Sequence, residues 1–160
     1  MIMMRDRCEI FPYSDSHEDS LKEMLRICFN QDYKIPLTEP QLEALCKEIC
    51  RQATEKIVFL DLLCLNGRAE GFINYQVDTP QSDWCEKETW GFIRELYISP
   101  ALRKKGYGQK LAEHAESKLW ALSVPNIYLT TDDAIEFWLK LGYHDTAEIC
   151  PQNNGSILTK

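Results

Sequence analysis

The stretch Glu95-Leu-Tyr-Ile-Ser-Pro-Ala-Leu-Arg-Lys-Lys-Gly-Tyr-Gly-Gln-Lys-Leu111 runs from an apolar strand through a proline turn and a basic glycine loop into a helix. The rest of the chain reads as scaffold around it. The loop Arg103-Lys-Lys-Gly106-Tyr-Gly108 opens a segment with Leu111, Ala112, Ala115 and Leu119 at helical spacing. A helix entry leaves its first backbone N–H groups unpaired and carries partial positive charge. Glycines at 106 and 108 remove the Cβ atoms that would hold an anion off those amides, and Arg103, Lys104 and Lys105 stand beside them. The stretch therefore predicts a seat for a pyrophosphate; the alternative is that the two glycines serve only a turn.

Neither the dinucleotide fingerprint G-x-G-x-x-G nor the P-loop G-x-x-x-x-G-K-[ST] is present. What is present, Leu96-Tyr-Ile98-Ser-Pro100-x-x-Arg103-x-x-Gly106-x-Gly108, resembles the central motif of the GCN5-related N-acetyltransferases, R/Q-x-x-G-x-G/A behind a strand ending in Val/Ile-x-Pro. A second block, Thr131-Asp-Asp-Ala134-Ile-Glu-Phe137-Trp138-Leu-Lys-Leu-Gly142-Tyr143, is similar to that family's later signature, N-x-x-A-x-x-F-Y-x-x-x-G-F/Y. The two blocks stand in the family's order, with one helix and one strand between them.

A chain of 160 residues with 44% hydrophobic content suits one domain, 1–160, around one core. No apolar run approaches the roughly 20 residues that span a bilayer, and the start, Met1-Ile-Met-Met-Arg-Asp-Arg7, lacks the apolar region of a secretory signal. A soluble, cytoplasmic protein without a membrane partner is expected. The seven cysteines form no C-x-x-C pair, which argues against a disulfide framework and a zinc site. Cys46 and Cys50 stand one helical turn apart with no second ligand pair in the sequence, so packing is expected there and no metal. A net charge of −7, with basic residues clustered only around 102–105, works against nucleic acid as the main partner and would attract a cationic substrate.

In chain order, residues 8–13 read as a strand, and 14–19 as a capped, acidic helix start whose helix buries Leu21, Met24, Leu25 and Cys28. Residues 30–36 break that pattern. Thr38-Glu-Pro-Gln begins a second helix with Leu42, Leu45 and Ile49 as its stripe. Residues 57–65 form a strand that turns at Asn66-Gly67 and returns over 69–77. A polar excursion over 78–90 precedes the central strand at about 91–98. In it, Trp84 and Trp90 among Asp83, Glu86 and Glu88 read either as a wall for a cationic ligand or as a cap on an exposed sheet edge. Residues 126–130 form a fifth strand, and Asp132-Asp133 caps a helix whose Ala134, Phe137, Trp138 and Leu141 face inward. Strands at 146–150 and 156–159 close the chain. The order predicts an α/β fold, an α+β mixed sheet of about seven strands with about four helices, as in the acetyltransferase family.

The resemblance implies that acetyl-coenzyme A lies where the fourth and fifth strands splay. Its pantetheine would pair with backbone of Leu96, Tyr97 and Ile98, and its pyrophosphate would rest on the amides from Arg103 through Lys104, Lys105, Gly106, Tyr107 and Gly108 to Gln109. Thr131, Ala134, Phe137 and Trp138 would complete the cofactor site. Direct attack of an amine on the thioester needs a base, an oxyanion donor and a proton for the thiolate. Glu95 is the candidate base, the alternative being a strand carboxylate paired with Arg94 or Lys104. The Ile98 amide is the candidate oxyanion donor. Many members carry tyrosine where Trp138 stands, and indole cannot protonate a thiolate. Either another hydroxyl, Tyr97, Ser99 or Tyr143, would do so, or the thiolate would leave unassisted. Thr131 likewise replaces the usual asparagine. His17, His114 and His144 fall in no motif. The reading is an N-acetyltransferase acting on a small cationic amine, aminoglycoside-like or polyamine-like, with Asp83, Trp84, Glu86 and Trp90 at the substrate. A protein or peptide acceptor and a non-catalytic acetyl-coenzyme A sensor are the alternatives. A homodimer is in keeping with the family.

Overall fold

A computed structural model describes residues 6–160, so the first five residues of the charged start lie outside the described residues. Seven strands form one sheet in the order β1-β2-β3-β4-β5-β7-β6, with β1 Cys8–Pro12, β2 Phe59–Leu65, β3 Arg68–Val77, β4 Gly91–Ile98, β5 Ile127–Thr131, β6 His144–Ile149 and β7 Ser156–Thr159. Four α-helices accompany it: α1 Glu18–Ile27, α2 Glu39–Thr54, α3 Tyr107–Ala121 and α4 Ile135–Lys140. Two compact parts follow, each with its own packing.

The first holds the residues up to Asn74 together with Glu95–Leu111. Here β1 pairs antiparallel with β2 from Cys8↔Leu65 to Pro12↔Asp61. Asn66 and Gly67 both take positive φ, 51° and 84°, the twist that a two-residue hairpin demands. Leu21, Met24, Leu25 and Cys28 of the first helical stretch pack with Leu42, Cys46 and Ile49 of α2 against Leu60, Leu62, Phe72 and Tyr97. Their i, i+3, i+4, i+7 spacing brings them to one side. The entry to α2 is a capping box: Thr38 accepts from the Gln41 amide while Gln41 returns to the Thr38 amide. The expected break after α1 starts earlier than its composition suggests, since Cys28–Asp32 form a π-helical turn.

The second holds Tyr75–Arg94 and Ala112–Lys160. Its strands pair as β5 with β7 and β7 with β6, both antiparallel. Phe92, Tyr128, Cys150 and Ile157 form its aromatic core, with Trp84 and Trp90 packed on it. Ala112, Ala115 and Leu119 of α3 are fully buried, as their spacing predicts. β6 is exposed and irregular, with Ala147 at φ 63° and a register shift between Asp145 and Ile149; such a bulge blunts a sheet edge. The expected aspartate cap is not formed. The Ala134 amide donates to Thr131 Oγ1 at 3.1 Å, and α4 begins behind it with no side-chain cap of its own. Of the residues expected to face inward, Trp138 is buried while Ala134, Phe137 and Leu141 are half-buried, because a helix of six residues hides only its middle.

Candidate active site

The parallel pairing of β4 with β5 covers Gly91↔Ile127 and Phe92↔Tyr128, while β4 runs on to Ile98 and β5 to Thr131. β4 also changes phase. Arg94 donates to Gln76 Oε1 at 3.0 Å, and Glu95 accepts from Asn74 Nδ2 at 2.7 Å. Asn74 and Gln76, two apart, share a face of β3. Adjacent residues of β4 therefore project to the same side, which is the pattern a bulge produces. It leaves Glu95 and Tyr97 on one face, with Phe72 stacked on the Tyr97 ring at 5.6 Å.

Beyond Ile98 the chain makes a 3-10 turn, Pro100–Leu102, and enters the glycine loop. Arg103 does not stand free at its mouth. Its Nε donates to the Ile98 carbonyl at 2.8 Å, and its two terminal nitrogens grip Asp32 Oδ1 and Oδ2 at 2.9 and 2.7 Å. A planar guanidinium suits such a fork, so Arg103 fixes the strand end to the π-helical turn. Lys104 and Lys105 are the loop's other exposed charges. Lys104 and Gly106 take φ of 63° and 89°, and the Lys110 amide reaches the Gly106 carbonyl at 3.1 Å to close the first turn of α3. A Cβ on Gly106 would meet no atom within 4 Å, so the loop's outer side is open to a ligand. The coenzyme's diphosphate fits what is there: a 15-residue helix, its first-turn amides, a bare glycine and two lysines.

Among the described residues, Asn74 Oδ1, on the amide that grips Glu95, and the Tyr97 hydroxyl, nearer Ser99, are buried without a close hydrogen-bond partner. Burial pushes the Tyr97 phenol up, with Ser99 and Arg103 pulling the other way. Tyr143 differs. Its hydroxyl donates to Glu116 Oε2 at 2.7 Å, Lys160 Nζ lies 3.3 Å from both Glu116 oxygens, and Trp138 packs edge-on to the Tyr143 ring at 5.3 Å. Burial and then Glu116 raise this phenol far above its ordinary range, so it is a reluctant acid.

The loop over 78–90 is organised by a residue the sequence did not single out. Asp78, fully buried, accepts from Gln76 Nε2 at 2.9 Å, from the Glu86 and Lys87 amides at 3.1 and 3.2 Å, and from the Tyr128 hydroxyl. Asp83 pairs with Arg94 at 2.8 Å, and Glu86 Oε1 accepts from Gln152 at 3.0 Å. Trp84 and Trp90 lie against Phe92 and Tyr128, and Lys87 sits over the Trp90 ring at 5.7 Å. Both tryptophans thus pack on residues of the interior strands β4 and β5 and not at an edge of the sheet. Asn74 did carry a sequence signal, an amide inside the apolar run Phe72-Ile-Asn-Tyr-Gln-Val77. Asp78 and Asp32 carried none, because their partners are remote in the chain.

The sequence profile described as the acetyltransferase (GNAT) family matches residues 18–143. Among solved structures, the chain is similar to a PaiA N-acetyltransferase from Thermoplasma acidophilum in complex with coenzyme A, at 16% identity over 96% of this chain and 98% of that one, with a TM-score of 0.75. A protein from Corynebacterium glutamicum, described as histone acetyltransferase HPA2 and related acetyltransferase, agrees at 16% identity over 96% and 95%, also with a TM-score of 0.75. An aminoglycoside N-acetyltransferase in complex with a bisubstrate analogue, coenzyme A joined to monomethyl-acetylneamine, agrees at 13% over 90% and 95%, with a TM-score of 0.72. No curated protein sequence matches the chain. At such identities the neighbours speak for the fold, and the profile, which spans both sequence motifs, speaks for the family. The chain belongs to the acetyltransferase (GNAT) family, whose members are acetyl-coenzyme A-dependent N-acetyltransferases.

Proposed function

We propose that the protein transfers the acetyl group of acetyl-coenzyme A directly to the primary amine of a small cationic substrate, polyamine-like or aminoglycoside-like. The observation that carries this reading is the face on which Asn74 grips the Glu95 carboxylate while Asn74 Oδ1 and the Tyr97 hydroxyl remain buried without partners. Buried polar atoms of this kind take a partner from a ligand or from ordered water. A carboxylate beside an amide carbonyl suits an ammonium group, which has only donors to offer. The net charge of −7 favours the same class of substrate.

In this reading the amides of Tyr107, Gly108 and Gln109, with Lys104 and Lys105, hold the diphosphate, while the backbone of Leu96 to Ile98 receives the pantetheine. The thioester supplies the acetyl group. Glu95 takes the proton that an alkylammonium, with a pKa of about 10.4, must lose before its nitrogen can form the new C–N bond. The Ile98 amide, just past the bulge, is the oxyanion donor. As the C–S bond breaks, the thiolate leaves with a basicity roughly like that of cysteine, about 8.5, and Tyr97 or Ser99 protonates it. Tyr143 is excluded from that role by its bond to Glu116. Asp83 and Glu86 are engaged by Arg94 and Gln152 and the two tryptophans pack on Phe92 and Tyr128, so these four residues hold the loop, and the substrate ammonium is assigned to Glu95 instead.

Thiol release from acetyl-coenzyme A should be measured with spermidine-type polyamines, aminoglycosides and short peptides as acceptors. Turnover is expected with a small polycation, and Glu95→Gln should lower kcat/KM about a hundredfold or more at neutral pH while leaving coenzyme A affinity intact. Turnover of peptides alone, or a Glu95→Gln variant at full rate, would overturn the assignment.

A further inference from the structure

Away from the acetyl-transfer residues, the first unit gathers two thiols, a carboxylate and a phenol. Cys46 and Cys50 lie one turn apart on α2, so their side chains emerge on the same side of the helix. Glu18, first residue of α1, brings a carboxylate to them: the two Sγ atoms and the Glu18 oxygen all lie within 4.8 Å of one another. Tyr13, just past β1, places its hydroxyl oxygen 3.0 Å from Cys50 Sγ. We infer that Cys46, Cys50 and Glu18, with the Tyr13 oxygen or a water as fourth donor, form a binding site for a divalent cation of the zinc class.

The donor set is what such an ion takes. Zinc binds thiolate sulfur and carboxylate oxygen in four-coordinate tetrahedral sites, and this mixture of donors is softer than magnesium or calcium selects. Both cysteines are buried while Glu18 is half-buried, so the carboxylate side offers a route in. Apolar packing accounts for buried thiols but gives no reason to bring a carboxylate against them. A neighbouring carboxylate disfavours thiolates unless a cation is shared. Thiols that bind such an ion give up their protons to solvent. Held this way, the ion would tie the first turn of α1 to the middle of α2.

The test is a titration of the reduced, full-length protein with cobalt(II) alone, followed by its thiolate charge-transfer absorption and tetrahedral visible bands. One equivalent should bind with both signatures. Cys46→Ser and Cys50→Ser should each diminish the charge-transfer band. Glu18→Gln, which keeps the size of the side chain, should weaken binding by at least about tenfold. Cys8→Ser and Cys85→Ser should change nothing. A charge-transfer band that survives the Cys46→Ser, Cys50→Ser double variant, only octahedral cobalt in the folded protein, or unchanged affinity in Glu18→Gln would each overturn the site. None of these readouts depends on acetyl transfer, so the inference stands or falls apart from the proposed reaction.

Discussion

At the scale of single residues, the second motif departs from the family signature at Thr131 and Trp138, and the two departures sort differently. Thr131 stands where the signature has asparagine, yet its hydroxyl accepts from the Ala134 amide at 3.1 Å, the local bond that a short side-chain acceptor makes at such a turn. Trp138 stands where tyrosine is usual, and it packs edge-on against Phe137 and Tyr143. The hydroxyl that this replacement removes is not recovered at Tyr143, whose proton goes to Glu116. Gly106 allows a residue-scale prediction. Its φ of 89° is disfavoured for any residue with a Cβ, and its open side borders the first-turn amides of α3. Gly106→Val should weaken coenzyme A binding by about tenfold or more, or about 1.4 kcal/mol, in a calorimetric titration. Wild-type affinity in that variant would remove the glycine loop from the cofactor site.

Elements here owe their placement to a few charged side chains as much as to apolar stripes. Arg103 joins the end of β4 to the π-helical turn after α1 through the Ile98 carbonyl and Asp32. Asp78 does the same for the long connection between β3 and β4, satisfying two amides of the loop, a glutamine and a tyrosine. A loop of this length without secondary structure would otherwise fray, for it has few apolar anchors besides its tryptophans. Asp78→Ala removes one acceptor and orphans several buried donors at about 1–3 kcal/mol each, so a total loss above about 3 kcal/mol is expected in urea unfolding. A loss under about 1 kcal/mol would mean that water replaces the carboxylate and that the tryptophans alone hold the loop.

For the molecule as a whole, several buried acids are kept protonated by the fold. Burial lifts the Cys28 thiol from 9.0 to about 12, and burial first raises the phenols of Tyr97, Tyr128 and Tyr143 above their ordinary 10.0. Each folded-state value lies above the unfolded one, so the folded chain keeps protons that the unfolded chain gives up. The stability this contributes is whole below about pH 9 and drains away as the pH rises through 9 to 12. The urea midpoint should be flat between about pH 7 and 8.5 and fall steeply from about pH 9 upward. A midpoint unchanged at pH 10.5 would show that these groups are hydrated in solution.

Much of this was legible in the sequence, and the reason is locality. The strand, the turn after Ile98, the glycine loop and α3 are specified by residues within a few positions of one another, as are the Asn66-Gly67 hairpin and the Thr38 cap. The two family motifs lie in contiguous stretches for the same cause. Reading along the chain therefore determined the element order, the seven-stranded mixed sheet and the acetyltransferase family. It placed the aspartates at 132 and 133 as a cap because acidic residues before a helix usually serve as one, whereas Thr131 took that bond. What only the tertiary structure decided is which side chains meet across the chain. Asn74 on Glu95, Asp32 on Arg103, Glu116 on Tyr143, and Glu18 beside Cys46 and Cys50 are pairings between distant segments. A hydrogen bond or a metal site depends on distances of a few ångströms, and no spacing along a chain encodes those until the sheet and helices have packed.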